Sequence, residues 1–451
     1  MLEIAPPHPR GLHMNWSEKS SFVGVCGVVL LGVVVAGCAP VQEEEEDSSE
    51  AVDVGQAEAV PDVSAAVHAL REGDDFKPAA LARFGPDVAF GGGKFFVVWN
   101  DIREGGVFGT RVKPDGTILD PEGIRINISD ASDDEAIREP AIAYNGTHFF
   151  VVWESFDGVR AVRVKPDGNV VGPVFDVINS DETFGPVDVA CSKDICVVTF
   201  TVEGDNETDI FFTRVTKDGE VLDDPDRFLS PGDNFAVDAA VAWSSSKEVF
   251  LVVWSDSRGG EGEEDIFGNR VTEDGEILDG DGFPISEADG AQRAPDVAWS
   301  GKRFHVVWSD TRKGDADIFG ARVRGDGKVD DKNGIPISKA SGDQITPRVA
   351  HDDSNSLVVW SDTRNDKSRI RGARLEEDGE VKDNGGFAIS DGDKPQEFLP
   401  AVAAGADRFF TAFAGEKEVD FFKPHFILGT RVTHQGQVKD SPALKLTLEP
   451  K

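Results

Sequence analysis

Apolar residues in this chain come in short runs rather than on a helical period. Around Trp308 they read "PDVAWSG", "RFHVVW", "DIFGARV" and "GIPIS", each four to eight residues long and bounded by Gly, Asp or Pro. Runs of that length and composition predict strands. No segment after residue 80 sustains a 3.6-residue apolar period, so the expected class is all-β. Runs such as "FFVVW" and "FLVVW" are apolar at successive positions, which predicts sheets covered on both faces.

The same order of runs recurs. An aromatic slot stands at Trp99, Trp153, Phe200, Trp254, Trp308, Trp360 and Phe413, 47 to 54 residues apart, which defines seven units. Six units turn after the third run on Asp-Gly (Asp115-Gly116, Asp167-Gly168, Asp218-Gly219, Asp274-Gly275, Asp326-Gly327, Asp378-Gly379) and the seventh on Gln435-Gly436. Glycine supplies the positive φ that such hairpins need. Four antiparallel strands per unit fit one propeller blade, and they are half of what one immunoglobulin-like sandwich needs. A seven-bladed β-propeller over residues 81–451 is therefore expected.

The amino terminus is of another kind. Residues 22–35, "FVGVCGVVLLGVVV", are too short to span a bilayer comfortably and suit a signal h-region. Val35-Ala36-Gly37-Cys38 resembles the bacterial lipobox, which implies lipidation of Cys38 and removal of residues 1–37; the long, weakly basic stretch before it favours Met14 as the true start. Ala39 after that cysteine, by the same resemblance to Gram-negative lipoproteins, implies the outer membrane or cell surface, with the periplasmic-facing leaflet as an alternative. Residues 38–80 hold a dense acidic run, which reads as a disordered tether. Cys191 and Cys196 replace Trp299 and Phe304 of the fifth unit, two positions that face each other across the first hairpin. A joint replacement in an exported chain predicts a disulfide.

Charge narrows the partners. The chain has 83 acidic and 46 basic residues, a formal charge of −37. Phosphate backbones would be repelled, so nucleic acid is not an expected partner. Cationic ligands are electrostatically compatible, and an extracellular protein or glycan is the other class considered. Membrane attachment is expected through lipid alone, and the protein as a monomer.

Some charges repeat with the scaffold. The third run carries Arg111, Arg163, Arg214, Arg270, Arg322, Arg374 and Arg431. Four units place Asp101, Asp256, Asp310 and Asp362 two residues after the aromatic slot, with Arg103, Arg258, Arg312 and Arg364 two further on. Repetition and the geometry of the guanidinium fork point to structural ion pairs. What differs between copies is the second-to-third-strand loops and the blade connections, which share one face, and function is expected there.

Within those loops, calcium is the metal considered, on Asp205, Glu207 and Asp209, on Glu261, Glu263, Glu264 and Asp265, and on Asp315 and Asp317. None of the three groups follows the regular twelve-residue calcium loop. The mature chain's histidines are scattered without ligand spacing, and His305 occupies a slot filled elsewhere by Phe96 and Phe150, which makes it a core residue. The sialidase Asp-box is absent, and the single Tyr144 sits in a strand slot. No serine triad, phosphate loop or dinucleotide fingerprint stands out, so no catalytic residue is assigned. A two-carboxylate hydrolase stays open.

Over nearly the whole mature region, the pattern W-x-D-x-R, D-I-F-G-x-R-V, D-G, G-I-P-I-S resembles repeats of secreted and lipid-anchored propeller proteins of myxobacteria and their relatives. That resemblance implies the fold and little about activity. The reading is a lipid-anchored binding module working through an acidic long-looped face; the alternatives are a glycan hydrolase and a calcium-stabilised structural propeller.

Overall fold

In the computed structural model, residues 85–447 are described apart from 102–104, 128–138, 180–182, 204–207, 224–226, 231–234, 261–262, 365–366, 391, 393–395 and 417–424. The signal segment, Cys38 and the acidic tether lie outside these residues. No described segment is helical.

The described chain folds into seven antiparallel blades, each made from one continuous segment whose strands pair in chain order. Blade 5 shows the plan with Gln292–Trp299, Arg303–Asp310, Asp317–Arg324 and Ile335–Ser338. Blade 3 adds the two-residue strand Thr183–Phe184 to its sheet. The first strands are Asp87–Gly91, Ala141–Tyr144, Asp188–Cys191, Ala236–Ser244, Gln292–Trp299, Gln344–His351 and Glu397–Gly405. Each touches the first strands of both neighbours, and the last returns to the first. They therefore line the axis, and the ring closes without any strand crossing from one blade into another.

The core lies between blades. Leu251 and Val253 of blade 4 pack with Val297, Phe304, Val306 and Trp308 of blade 5, and Val88 and Phe95 of blade 1 pack with Ala401 and Phe410 of blade 7. Second strands are accordingly buried almost throughout, as in Arg303–Asp310. Trp153, Trp254, Trp308 and Trp360 are fully buried. Full burial of a side chain that size contributes on the order of 2–3 kcal/mol, and seven such slots hold the blades face to face.

A charged clasp repeats beneath the turns. Arg214 donates through Nε and Nη2 to the two oxygens of Asp223, at 2.9 and 2.8 Å, and its backbone N–H donates to the same carboxylate. The same fork joins Arg111 to Asp120, Arg270 to Asp279, Arg322 to Asp331, Arg374 to Asp383 and Arg431 to Asp440. The remaining nitrogen of Arg214 reaches the carbonyl of Glu273 in the next blade at 3.0 Å, and Arg431 reaches Pro114 of blade 1 at 3.3 Å. Turn glycines make room for this. A Cβ on Gly116 or Gly275 would lie 2.8 Å from the guanidinium carbon of Arg431 or Arg214, and both glycines have positive φ.

Cys191 and Cys196 face each other in register and are joined by a disulfide with S–S 2.03 Å. Trp299 and Phe304 form the corresponding pair in blade 5, with ring centroids 4.7 Å apart.

Candidate functional site

The axis carries the chemistry that differs between blades. One slot on each first strand faces its neighbours around the ring: Asp87, Ala141, Asp188, Ala240, Asp296, Arg348 and Ala401. Aspartate stands in blades 1, 3 and 5, and arginine in blade 6. Asp87 Oδ2 accepts the amide of Ile142 in blade 2 at 2.8 Å, while its Oδ1 accepts that of Val88. Asp188 accepts from Val241 at 2.8 Å and Asp296 from Val349 at 2.6 Å. Each carboxylate thus ties its blade to the next and still faces the channel.

These acids are half-buried, and desolvation within the ring is the largest influence on their protonation. Burial pushes Asp87 up to about 6 against the opposing pull of two amides and Arg348. Asp188 rises to about 8, first through burial and then through the charge of Asp87. Asp296 is also raised, by burial. Like charges converging from alternate blades resist joint ionisation, which favours a proton on Asp188 at neutral pH.

Above the slot, the first strands of blades 4 to 7 bulge between Val237 and Ala240, Arg293 and Asp296, Ile345 and Arg348, and Phe398 and Ala401. Asp238, Ala294, Thr346 and Leu399 take positive φ there. Bulges of this kind re-aim a strand end, and a β-branched Thr346 in that region is held against its own preference.

On the loop face, the repeated acids are already satisfied. Asp310 accepts from Trp308 Nε1 at 2.9 Å, from the Arg312 amide at 3.0 Å, and from Arg312 Nε and Nη2 at 2.7 and 2.5 Å. Asp256 with Trp254 and Arg258, and Asp362 with Trp360 and Arg364, repeat the arrangement. Arg258 and Arg312 also lie over Phe267 and Phe319, at 3.9 and 4.1 Å from the ring centres. Four donors per carboxylate leave these groups little capacity for a ligand. Asp101 stands at the same slot of blade 1, and Arg103 lies outside the described residues.

The calcium candidates are dispersed. Asp205, Glu207 and Glu261 lie outside the described residues. Asp209 is buried at the top of the third strand of blade 3, near Ser230. Glu264 pairs with Arg293 at 2.7 Å. Asp265 is pushed to about 6 by burial and by Glu287, Asp256 and Glu263. Asp317 is raised by burial, and Asp315 accepts the Gly342 amide. Among the described residues, the three ligand groups that come within 4.8 Å of one another are Glu376, Asp378 and Glu380. Lys382 already neutralises that turn, at 3.0 Å from Glu376 and 2.9 Å from Glu380.

His305 is fully buried, and burial lowers it to about 4. The fold brings it beside His351: both Nδ1 atoms meet the Ser356 hydroxyl, at 2.8 and 3.0 Å. Scattered positions in the chain gave no sign of that pairing.

Sequence reasoning missed the channel slot and the clasp partners. Both left a signal, because aspartate precedes Val-Ala in alternate units and an acid follows the third-strand arginine by nine residues in six of seven.

The sequence matches no protein-family model and no curated protein. Similar solved structures include a GH43 endo-arabinanase from Bacillus licheniformis, 14% identical, with TM-score 0.35 over 54% of this chain and 95% of that one. A puromycin-hydrolyzing peptidase from Mycobacterium tuberculosis is 14% identical, with TM-score 0.47 over 84% and 55%. The acylaminoacyl peptidase of Pyrococcus horikoshii is 11% identical, with TM-score 0.47 over 82% and 54%. No residue role or activity is carried over from any of them.

Proposed function

We propose that this propeller is a binding module that takes a cationic ligand, a polyamine or a basic side chain, at its axial channel. The observation that carries the reading is the convergence of Asp87, Asp188 and Asp296 from alternate blades, two of them raised to about 6 and 8. The overall charge of −37 draws cations toward it.

Calorimetric titration of spermidine at pH 8 tests this. Saturable binding is expected in the unaltered protein and its loss in the Asp87→Asn, Asp188→Asn, Asp296→Asn triple variant. The exposed turn variant Asp326→Asn is expected to bind normally. Equal binding by the triple variant would remove the reading.

Hydrolysis of an extracellular glycan is the second reading. It draws on the same observation, since carboxyls that titrate apart can divide the roles of acid and base. Release of reducing ends from polysaccharides, lost in Asp188→Asn, would favour it over binding alone.

The same proposal places the propeller outside the inner membrane on a lipidated Cys38, with residues 39–80 as the tether. Mass analysis of the mature amino terminus tests this, and an intact residue 1 would refute it.

A further inference from the structure

Blade 2 breaks the clasp on one side only. Six blades place aspartate nine residues after the third-strand arginine; blade 2 keeps Arg163 and places Gly172 there. Local backbone pairing is retained, because Val164 pairs with Val170 as Val215 does with Val221. Arg163 still reaches the next blade, where Nη1 meets the Lys217 carbonyl at 3.4 Å, and it still lies beneath the next turn glycine, 3.3 Å from where a Gly219 Cβ would stand. Its fork is what differs. Nε is buried and has no hydrogen-bond partner among the described residues, while its siblings grip a carboxylate through Nε and Nη2.

The surroundings favour an anion on an otherwise acidic protein. Burial lowers His148, and the charges of Arg163 and Lys165 lower it further. The neighbouring acid is Asp218, 3.9 Å from Nη1, exposed and paired with Lys217 at 2.5 Å. Gly172 and Pro173 are exposed and the Arg163 side chain keeps part of its surface, so a ligand approaches the fork from its outer edge and reaches Nε by displacing what covers it, and the Phe175 ring stands beside Gly219 as an apolar wall.

We infer that Arg163 is a binding site for an organic carboxylate supplied by a ligand, held by the fork that the sibling arginines use for aspartate. The ligand is received on the short-turn face at the seam of blades 2 and 3. An aromatic carboxylate suits it best, since Phe175 can flank the ring while Nε and Nη2 take the two oxygens.

The test uses 4-bromobenzoate with the mature protein. Crystals soaked in it are expected to show an anomalous bromine peak beside Arg163 and Phe175. Calorimetry is expected to give saturable millimolar binding. That binding should weaken about tenfold or more in Arg163→Lys, which keeps the charge and loses the planar fork. The neutral isostere 4-bromobenzyl alcohol should not bind. Inorganic phosphate serves as the competitor, and a tighter hold on phosphate than on the carboxylate would overturn the assignment. So would unchanged affinity in Arg163→Lys, or a soaked crystal without bromine at the fork. The crystal result needs no variant and stands even if the substitution disturbs folding.

Discussion

Blade 5 and blade 2 are built from the same four strands and handle charge in opposite ways. Blade 5 carries every part: Trp308, Asp310 and Arg312 bonded together, Arg322 forked onto Asp331, and Asp296 on the axis. Blade 2 has Ser155 and Asp157 where blade 5 has Asp310 and Arg312, so both charged partners changed together. On the axis it has Ala141. In the clasp it lost the aspartate and kept the arginine. Replacing both members of a buried polar pair is nearly neutral, whereas removing one leaves a desolvated group behind. Joint replacement therefore reads as scaffold drift and single replacement as residual chemistry. Cys191 and Cys196, changed together at one facing pair, belong to the first kind.

The largest effect should come from imitating the blade 2 change in blade 5. Asp331→Ala strands Arg322 and is expected to cost about 3 kcal/mol, read as a lower urea midpoint at unchanged slope. Adding Arg322→Met should recover much of that loss, since the two positions couple; strict additivity would contradict the pairing argument.

Next comes the disulfide. Its small loop predicts a contribution of about 2 kcal/mol in the chain-entropy account, measured as the difference in urea unfolding with and without reductant. Substituting both cysteines by a Trp and Phe pair, as in blade 5, should restore part of it through packing.

The axial acids set the third effect, which is visible as pH dependence. Asp188 has a folded pKa of about 8, above the roughly 3.9 of an unfolded aspartate. The native state then binds more protons across that interval, so this group's stabilisation is complete below pH 4 and is lost as pH rises through 8. Asp87 behaves likewise up to about 6. His305 runs the other way: lowered to about 4, it withdraws stability as pH falls from 6.5 toward 4. Asp188→Asn should flatten the alkaline limb of a Tm profile and leave the acidic limb unchanged. An unaltered alkaline limb would show that the carboxylate is ionised in the native state.

The smallest effect belongs to blade 2 itself. Arg163→Ala removes a group whose nearest acid is the exposed Asp218 at 3.9 Å, and the expected cost is below about 1 kcal/mol. A loss as large as that of Asp331→Ala would mean that Arg163 is held by a partner as strong as its siblings have.

These contrasts explain what could be read from the chain. The blades were legible because strand runs, turn glycines and aromatic slots repeat, and each repeat re-tests the inference. The facing cysteines were legible for the same reason, since four other blades carry a facing aromatic pair there. The clasp was half legible: seven arginines stood out, but the carboxylate nine residues on sits in a variable segment and meets the arginine only once the fourth strand folds back. The axial ring was not read, because Asp87, Asp188 and Asp296 look like ordinary polar starts of strands. Their meaning comes from closing the circle, which brings together residues about a hundred positions apart. The pairing of His305 with His351 through Ser356 needs only the packing of blade 5 against blade 6.

The most direct test of the central claim, that the axial carboxylates hold protons which a cation displaces, is the proton count on binding. Spermidine titrated at pH 7 in two buffers of different ionisation enthalpy should release about one proton per ligand bound, falling toward zero at pH 9, because binding to a raised carboxyl is linked to its ionisation. Binding with no proton release at pH 7, or with release that persists at pH 9, would contradict the account.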